Sequence, residues 1–214
     1  MTTTRFAAAT IFALLTQMAG TAAAQEAARV VVAPESKLWI DGTSNVHAWT
    51  CKAEKFEASV DLDAAAAAQL ATAAPKALKR VEVKIPVKSL KCGHDGMDKN
   101  LYKALNADDA SEISYILATF EAVSGEAKDS FTLHTVGTLS IAGKENKITM
   151  DVEATRMPDG TVKAKGVVPV KMTDYGVKPP KAMFGAIKAG DEVKVNFELT
   201  VGGKAIAAAL GGQP

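Results

Sequence analysis

Val193-Lys194-Val195-Asn196-Phe197-Glu198-Leu199-Thr200-Val201 alternates without a break: Val193, Val195, Phe197, Leu199 and Val201 are apolar, and each residue between them is polar. A period of two is that of a β-strand, whose successive side chains point to opposite faces. One face of this strand is greasy and the other wet. The same count holds upstream, where Phe131, Leu133, Leu139 and Ile141 alternate with Thr132, His134, Thr138 and Ser140. It holds again for Phe56, Ala58, Val60 and Leu62, and for Val81, Val83, Ile85 and Val87. Pro158-Asp159-Gly160 and Ala142-Gly143-Lys144-Glu145-Asn146 supply turn chemistry between such runs. The pattern predicts eight strands, near 36–43, 52–62, 79–88, 113–123, 130–141, 145–156, 161–172 and 192–201. Sequential pairing closes them most simply into an all-β, eight-stranded antiparallel up-and-down barrel.

Two short helical insertions interrupt the strands. Asp63 is positioned to cap the alanine-rich run Ala64 to Ala74, which Pro75 stops, and Asp98 to cap a helix carrying Leu101 and Leu105. Gly202-Gly203 and Gly211-Gly212 bracket small apolar residues, so 202–214 reads as a flexible tail.

Upstream of the strands, residues 1–24 read as a secretory signal. Arg5 gives a positive start, Ala7 to Met18 an apolar stretch, and Ala22-Ala23-Ala24 a small-residue cleavage site. The apolar stretch is well short of the roughly 20 residues that span a bilayer. The expected product starts near Gln25, is periplasmic or secreted in a bacterium, carries no transmembrane segment, and has one domain over 25–201. Of the 25 Lys plus Arg the leader takes only Arg5, which leaves 24 against 24 Asp plus Glu. A neutral chain lacks the basic footprint of nucleic-acid binding.

Export gives Cys51 and Cys92 a redox meaning. In an oxidising compartment a cysteine pair tends to be joined, and closing a loop of this length constrains the unfolded chain by about 4 kcal/mol. A competing reading groups the two sulfurs with His47 and His94 around a metal or haem. Spacing alone leaves both open.

Signatures of catalysis are scarce. There is no serine-nucleophile elbow, paired-histidine zinc helix or dinucleotide fingerprint. Gly137 to Lys144 has five residues rather than four between its glycines, and no Ser or Thr follows the lysine. Asp108, Asp109 and Glu112 read as an exposed loop or helix cap, and His134 falls on the wet face of its strand. Trp39, Trp49, Tyr102, Tyr115 and Tyr175 form no regular stacking series for a single-stranded nucleic acid. The inward apolar face is left as the candidate site, either packed solid or open to one ligand.

Four segments, taken in order, carry a family resemblance: GTSNVHAWTC (Gly42 to Cys51), VEVKIPVKSLKCGHDGMDKNLYKAL (Val81 to Leu105), GTLSIAGKENKITMDV (Gly137 to Val152) and GVVPVKMTDYGVKPP (Gly166 to Pro180). Together they resemble the YceI-like proteins. That resemblance implies a lipocalin-like barrel whose interior holds a long polyisoprenoid or isoprenoid quinone, for binding or transport and not for catalysis, with no metal and no cofactor other than such a lipid. The cysteine pair is not general to the family. For an open barrel, the candidate lining residues are Leu38, Ile40, Phe56, Val83, Ile85, Tyr115, Leu117, Phe131, Leu133, Leu139, Met150, Val168, Met172, Met183, Phe184, Val195 and Phe197. The methionines suit a flexible guest because their side chains are unbranched. Two other readings stand beside this one: a redox protein using the cysteines and histidines, and a filled barrel acting as a structural or inhibitory module. A homodimer is compatible with any of them.

Overall fold

The computed structural model describes residues 27–63, 78–124 and 129–202. The leader, the alanine-rich run 64–74 and the tail from 203 lie outside the described residues.

Twelve strands are described: β1 (Ala27–Val31), β2 (Lys37–Ser44), β3 (Ala48–Ala53), β4 (Glu57–Asp63), β5 (Leu78–Pro86), β6 (Leu90–Lys91), β7 (Glu112–Ser124), β8 (Ser130–Ile141), β9 (Lys144–Arg156), β10 (Val162–Lys171), β11 (Lys181–Ala182) and β12 (Ile187–Val201). One α-helix, α1 (Asp95–Ala104), follows β6. All the pairings are antiparallel, in the order β1-β4-β5-β7-β8-β9-β10-β12-β2-β3-β6, with β11 paired to β12 outside that path.

The sheet has to curl. Strands β3 and β4 lie near opposite ends of the order, yet only residues 54–56 separate them, and four peptide steps reach at most about 14 Å. Likewise β5 runs into β6 through a single 3-10 turn, Val87–Ser89. Where the two ends meet, the Glu54 amide donates to the Ser89 carbonyl at 3.0 Å and the Ser89 hydroxyl to the Lys55 carbonyl at 2.6 Å. A disulfide between Cys51 and Cys92 continues the β3–β6 pairing by one position, next to Lys52 opposite Lys91.

Cross-strand register carries the period-two pattern around the wall. Val195 stands opposite Val168 on one side and Ile40 on the other, and Phe197 opposite Gly166 and Leu38. Two apolar clusters result. A large one includes Leu38, Ile85, Val87, Leu90, Ile113, Tyr115, Leu139, Val168 and Val193, and a smaller one includes Val30, Val60, Leu62, Phe131, Ala154 and Val162.

The wall is not uniform. Strands β9 and β10 pair only where Glu153–Arg156 face Val162–Lys165, and then part. Pro169, which has no N–H to donate, sits in the parted stretch. There the 3-10 turn Met172–Tyr175 leans across, with the Asn146 amide donating to the Asp174 carbonyl at 3.0 Å and Tyr175 and Val177 buried.

Several expectations need correction. Twelve strands replace eight. The expected strand 52–62 is two strands, because the inward parity slips: Cys51 is buried at an odd position, while Ala58, Val60 and Leu62 are buried at even ones. Strand β1 and the two-residue strands β6 and β11 were not expected. The helix expected to start at Asp98 begins a turn earlier, and its cap is His94, whose ring nitrogen accepts from the Gly96 amide at 3.1 Å. Asp98 is instead buried inside the helix, where it accepts from the Cys92 amide at 2.7 Å and faces Lys91 at 3.4 Å.

Candidate functional site

The curled sheet encloses a cavity of about 420 Å³, within the 300–1,000 Å³ typical of small-molecule sites. Its wall is almost wholly apolar. It extends from Val60, Leu62, Phe131 and Val162 of the smaller cluster to a rim that includes Ser44, His47, Asn100 and Lys181. The helix α1 contributes Met97, Leu101 and Ala104.

Three aromatic rings line this lumen without plugging it. Trp49 lies across Gly42, Tyr115 across Gly137 and Phe197 across Gly166, so close that a Cβ on any of these glycines would overlap the ring. Glycine on one strand lets the ring of its neighbour lie flat on the wall. The volume that a side chain would have taken stays open.

Away from the rim the described wall has two polar spots, one at Tyr175, whose buried hydroxyl has no hydrogen-bond partner among the described residues, and one at Thr135 and Tyr115. Thr135 is buried and donates its hydroxyl to the Met150 carbonyl at 2.8 Å. The buried Tyr115 hydroxyl meets no hydrogen-bond partner among the described residues, and burial pushes its phenol above the usual range. Over the outer wall, His134 lies exposed beside Asp151 at 2.6 Å, as its alternation predicts.

Of the candidate lining residues, Leu38, Ile40, Val83, Ile85, Tyr115, Leu117, Phe131, Leu133, Leu139, Met150, Val168, Met172, Val195 and Phe197 face the cavity. Phe56, Met183 and Phe184 do not. Phe56 sits in the bend between β3 and β4, half-buried against the larger cluster from outside the lumen. Met183 and Phe184 are 71% and 113% exposed. Their φ angles of 50° and 54°, followed by Gly185 at 90°, put three successive residues in the left-handed region and turn both side chains outward. That conformation costs a bulky L-residue about 1–2 kcal/mol.

Sequence reasoning did not single out Trp49, Ile148, Ala164 or the three glycines as parts of this wall. Glycines inside alternating runs were the visible signal. The disulfide withdraws both sulfurs from a shared metal site, and His94 is committed to its helix cap. Among the described residues no cluster of three or more His, Cys, Asp or Glu is placed to hold a metal ion. No helix among them is long and apolar enough to cross a membrane.

An antiparallel sheet curled around an apolar lumen defines a lipocalin-like, all-β class. The YceI-like domain model matches residues 30–201, and the chain belongs to that family. Solved structures agree on the fold. Burkholderia cenocepacia BcnA is 21% identical, covering 77% of this chain and 95% of its own, with a TM-score of 0.57. A polyisoprenoid-binding domain from Saccharophagus degradans, implicated in plant cell wall breakdown, is 16% identical, covering 83% and 99%, with a TM-score of 0.59. The Campylobacter jejuni YceI protein is 18% identical, covering 70% and 82%, with a TM-score of 0.51. Among curated proteins no sequence matches this chain.

Proposed function

We propose that this chain is an exported, periplasmic protein that binds and carries a long isoprenoid lipid, a polyisoprenoid or an isoprenoid quinone, inside its barrel, and that it acts by binding and not by catalysis. The observation that carries the reading is the open apolar lumen of about 420 Å³. Burying a methylene is worth about 0.8 kcal/mol, so about ten of them contribute on the order of 8 kcal/mol before the costs of ordering guest and host. An apolar lumen suits such a guest better than a compact polar one. The polyisoprenoid binding named for the Saccharophagus degradans domain supports the same chemistry. The leader expected over 1–24 supports export.

Organic extraction of the purified mature protein, followed by mass spectrometry, tests the reading. A long-chain isoprenoid released in near-stoichiometric amount is the expected result. Repeated extracts free of long-chain lipid, together with no uptake of a supplied isoprenoid quinone, would overturn it.

A further inference from the structure

We propose that the turn Met183–Gly185 is a docking tip that seats the rim of the lumen on an anionic lipid bilayer. The inference rests on the lumen being the lipid site, and it adds the surface from which lipid is exchanged.

The tip is built to expose what proteins usually hide. Met183 and Phe184 project from a short ribbon in which Lys181 stands opposite Lys188 and Ala182 opposite Ile187. The adjoining turn between β2 and β3 is tied to the ribbon by Asn45. Its side-chain amide donates to the Ala186 carbonyl at 2.9 Å, and its side-chain oxygen accepts from the Lys188 amide at 2.8 Å. That attachment brings Val46, 62% exposed, to the same end of the molecule. Three large apolar side chains thus stand in solvent at one end of the barrel, two of them held there by a left-handed backbone that bulky residues avoid.

The surrounding charge identifies the partner. Directly opposed like charges destabilise a strand pair, yet Lys181 and Lys188 are such a pair. Lys178 is exposed a few residues away across Pro179 and Pro180. None of the three lysines forms an ion pair among the described residues. An apolar tip ringed by lysines is the arrangement that enters the boundary between headgroups and acyl chains of an anionic membrane. The tip is also continuous with the lumen, because Pro180, Lys181, Ala182 and Ile187, which bracket it, line the cavity. A lipid leaving the bilayer beside Phe184 would meet the rim directly.

Flotation of the mature protein with phosphatidylcholine vesicles containing about a quarter phosphatidylglycerol, beside pure phosphatidylcholine vesicles, tests the proposal. The wild type is expected to float with the anionic vesicles and to be released by high salt. Phe184→Asn keeps a residue that tolerates the left-handed backbone and should weaken binding at least about tenfold, since it removes one buried aromatic side chain. The pair Lys181→Gln and Lys188→Gln should weaken it about fivefold per lysine on anionic vesicles and leave the weak binding to neutral vesicles unchanged. Unaltered thermal unfolding of each variant excludes misfolding as the cause. A wild type that stays at the bottom of the gradient, or a Phe184→Asn protein that floats equally well, overturns the proposal. So does a wild-type dimer in solution that Phe184→Asn converts to monomer, because the tip then covers a second copy. Uptake of an isoprenoid quinone from dilute detergent, measured in parallel, separates the two readings: intact uptake without flotation sinks only the docking tip, and flotation without uptake sinks only the lipid-binding lumen.

Discussion

Filling the lumen should stabilise the fold by an amount that its volume bounds. An apolar cavity forfeits contact energy with every side chain that faces it, at about 24 cal/mol per Å³ in cavity-creating substitutions. Applied to the cavity of about 420 Å³, that slope gives an upper limit of about 10 kcal/mol for a guest that fills it completely. A guest occupying half the space recovers about 5 kcal/mol. In a domain of this size each kcal/mol moves Tm by about 2–4 °C, so the half-filled barrel should melt roughly 10–20 °C above the empty one. Differential scanning calorimetry of delipidated protein, before and after reloading with an isoprenoid quinone, measures the shift, with extraction confirming that the quinone is retained. A retained quinone that moves Tm by less than about 2 °C would refute the reasoning, because a guest that adds so little contact is not packed in an open lumen.

Two further outcomes follow from the disulfide and the wall. Replacing both Cys51 and Cys92 by Ser should lower unfolding free energy by about 4 kcal/mol in the chain-entropy picture, read by urea denaturation, and dithiothreitol should lower the wild type alone to the same level. Gly137→Ala should lift the Tyr115 ring off the wall at a cost of about 1–3 kcal/mol, and the displaced ring should reduce quinone loading in the extraction assay; unchanged loading would mean that ring position does not set the free volume.

The architecture was legible because its periodicity survives almost intact. In β12 the residues read as inward, Val193, Val195, Phe197, Leu199 and Val201, all line the cavity. What was lost turned on single-residue backbone events. Cys51 and Ala58 belong to opposite parities, but no Gly, Pro, Asn or Asp marks the bend at Glu54 to Phe56, so the slip of one is hidden and two strands read as one. The two-residue strands β6 and β11 are shorter than any window over which alternation can be counted. Met183 and Phe184 have the composition of core residues, and only their positive φ sends them into water. Gly42, Gly137 and Gly166 fall within the expected strands but were not singled out, because their purpose depends on which aromatic residue the register brings across them, and that is a property of the assembled sheet. Whether the wall is hollow is likewise decided by the sum of side-chain volumes against circumference, which no local pattern records.

The parting of β9 from β10 has a mechanical consequence. Around the girth of the molecule, resistance to stretching comes from hydrogen-bonded ladders and covalent links, and the sulfur clasp at Cys51 and Cys92 makes one flank nearly inextensible. Opposite that strength lies a slit beyond Lys165, bridged mainly by a single turn of chain around Tyr175. Strain from a guest too wide for the bore is therefore relieved at the slit, and the slit-facing amides within Ile148 to Asp151 and among Val167, Val168 and Val170 should be the first in the wall to exchange with solvent, ahead of those shielded within the β7 to β8 ladder.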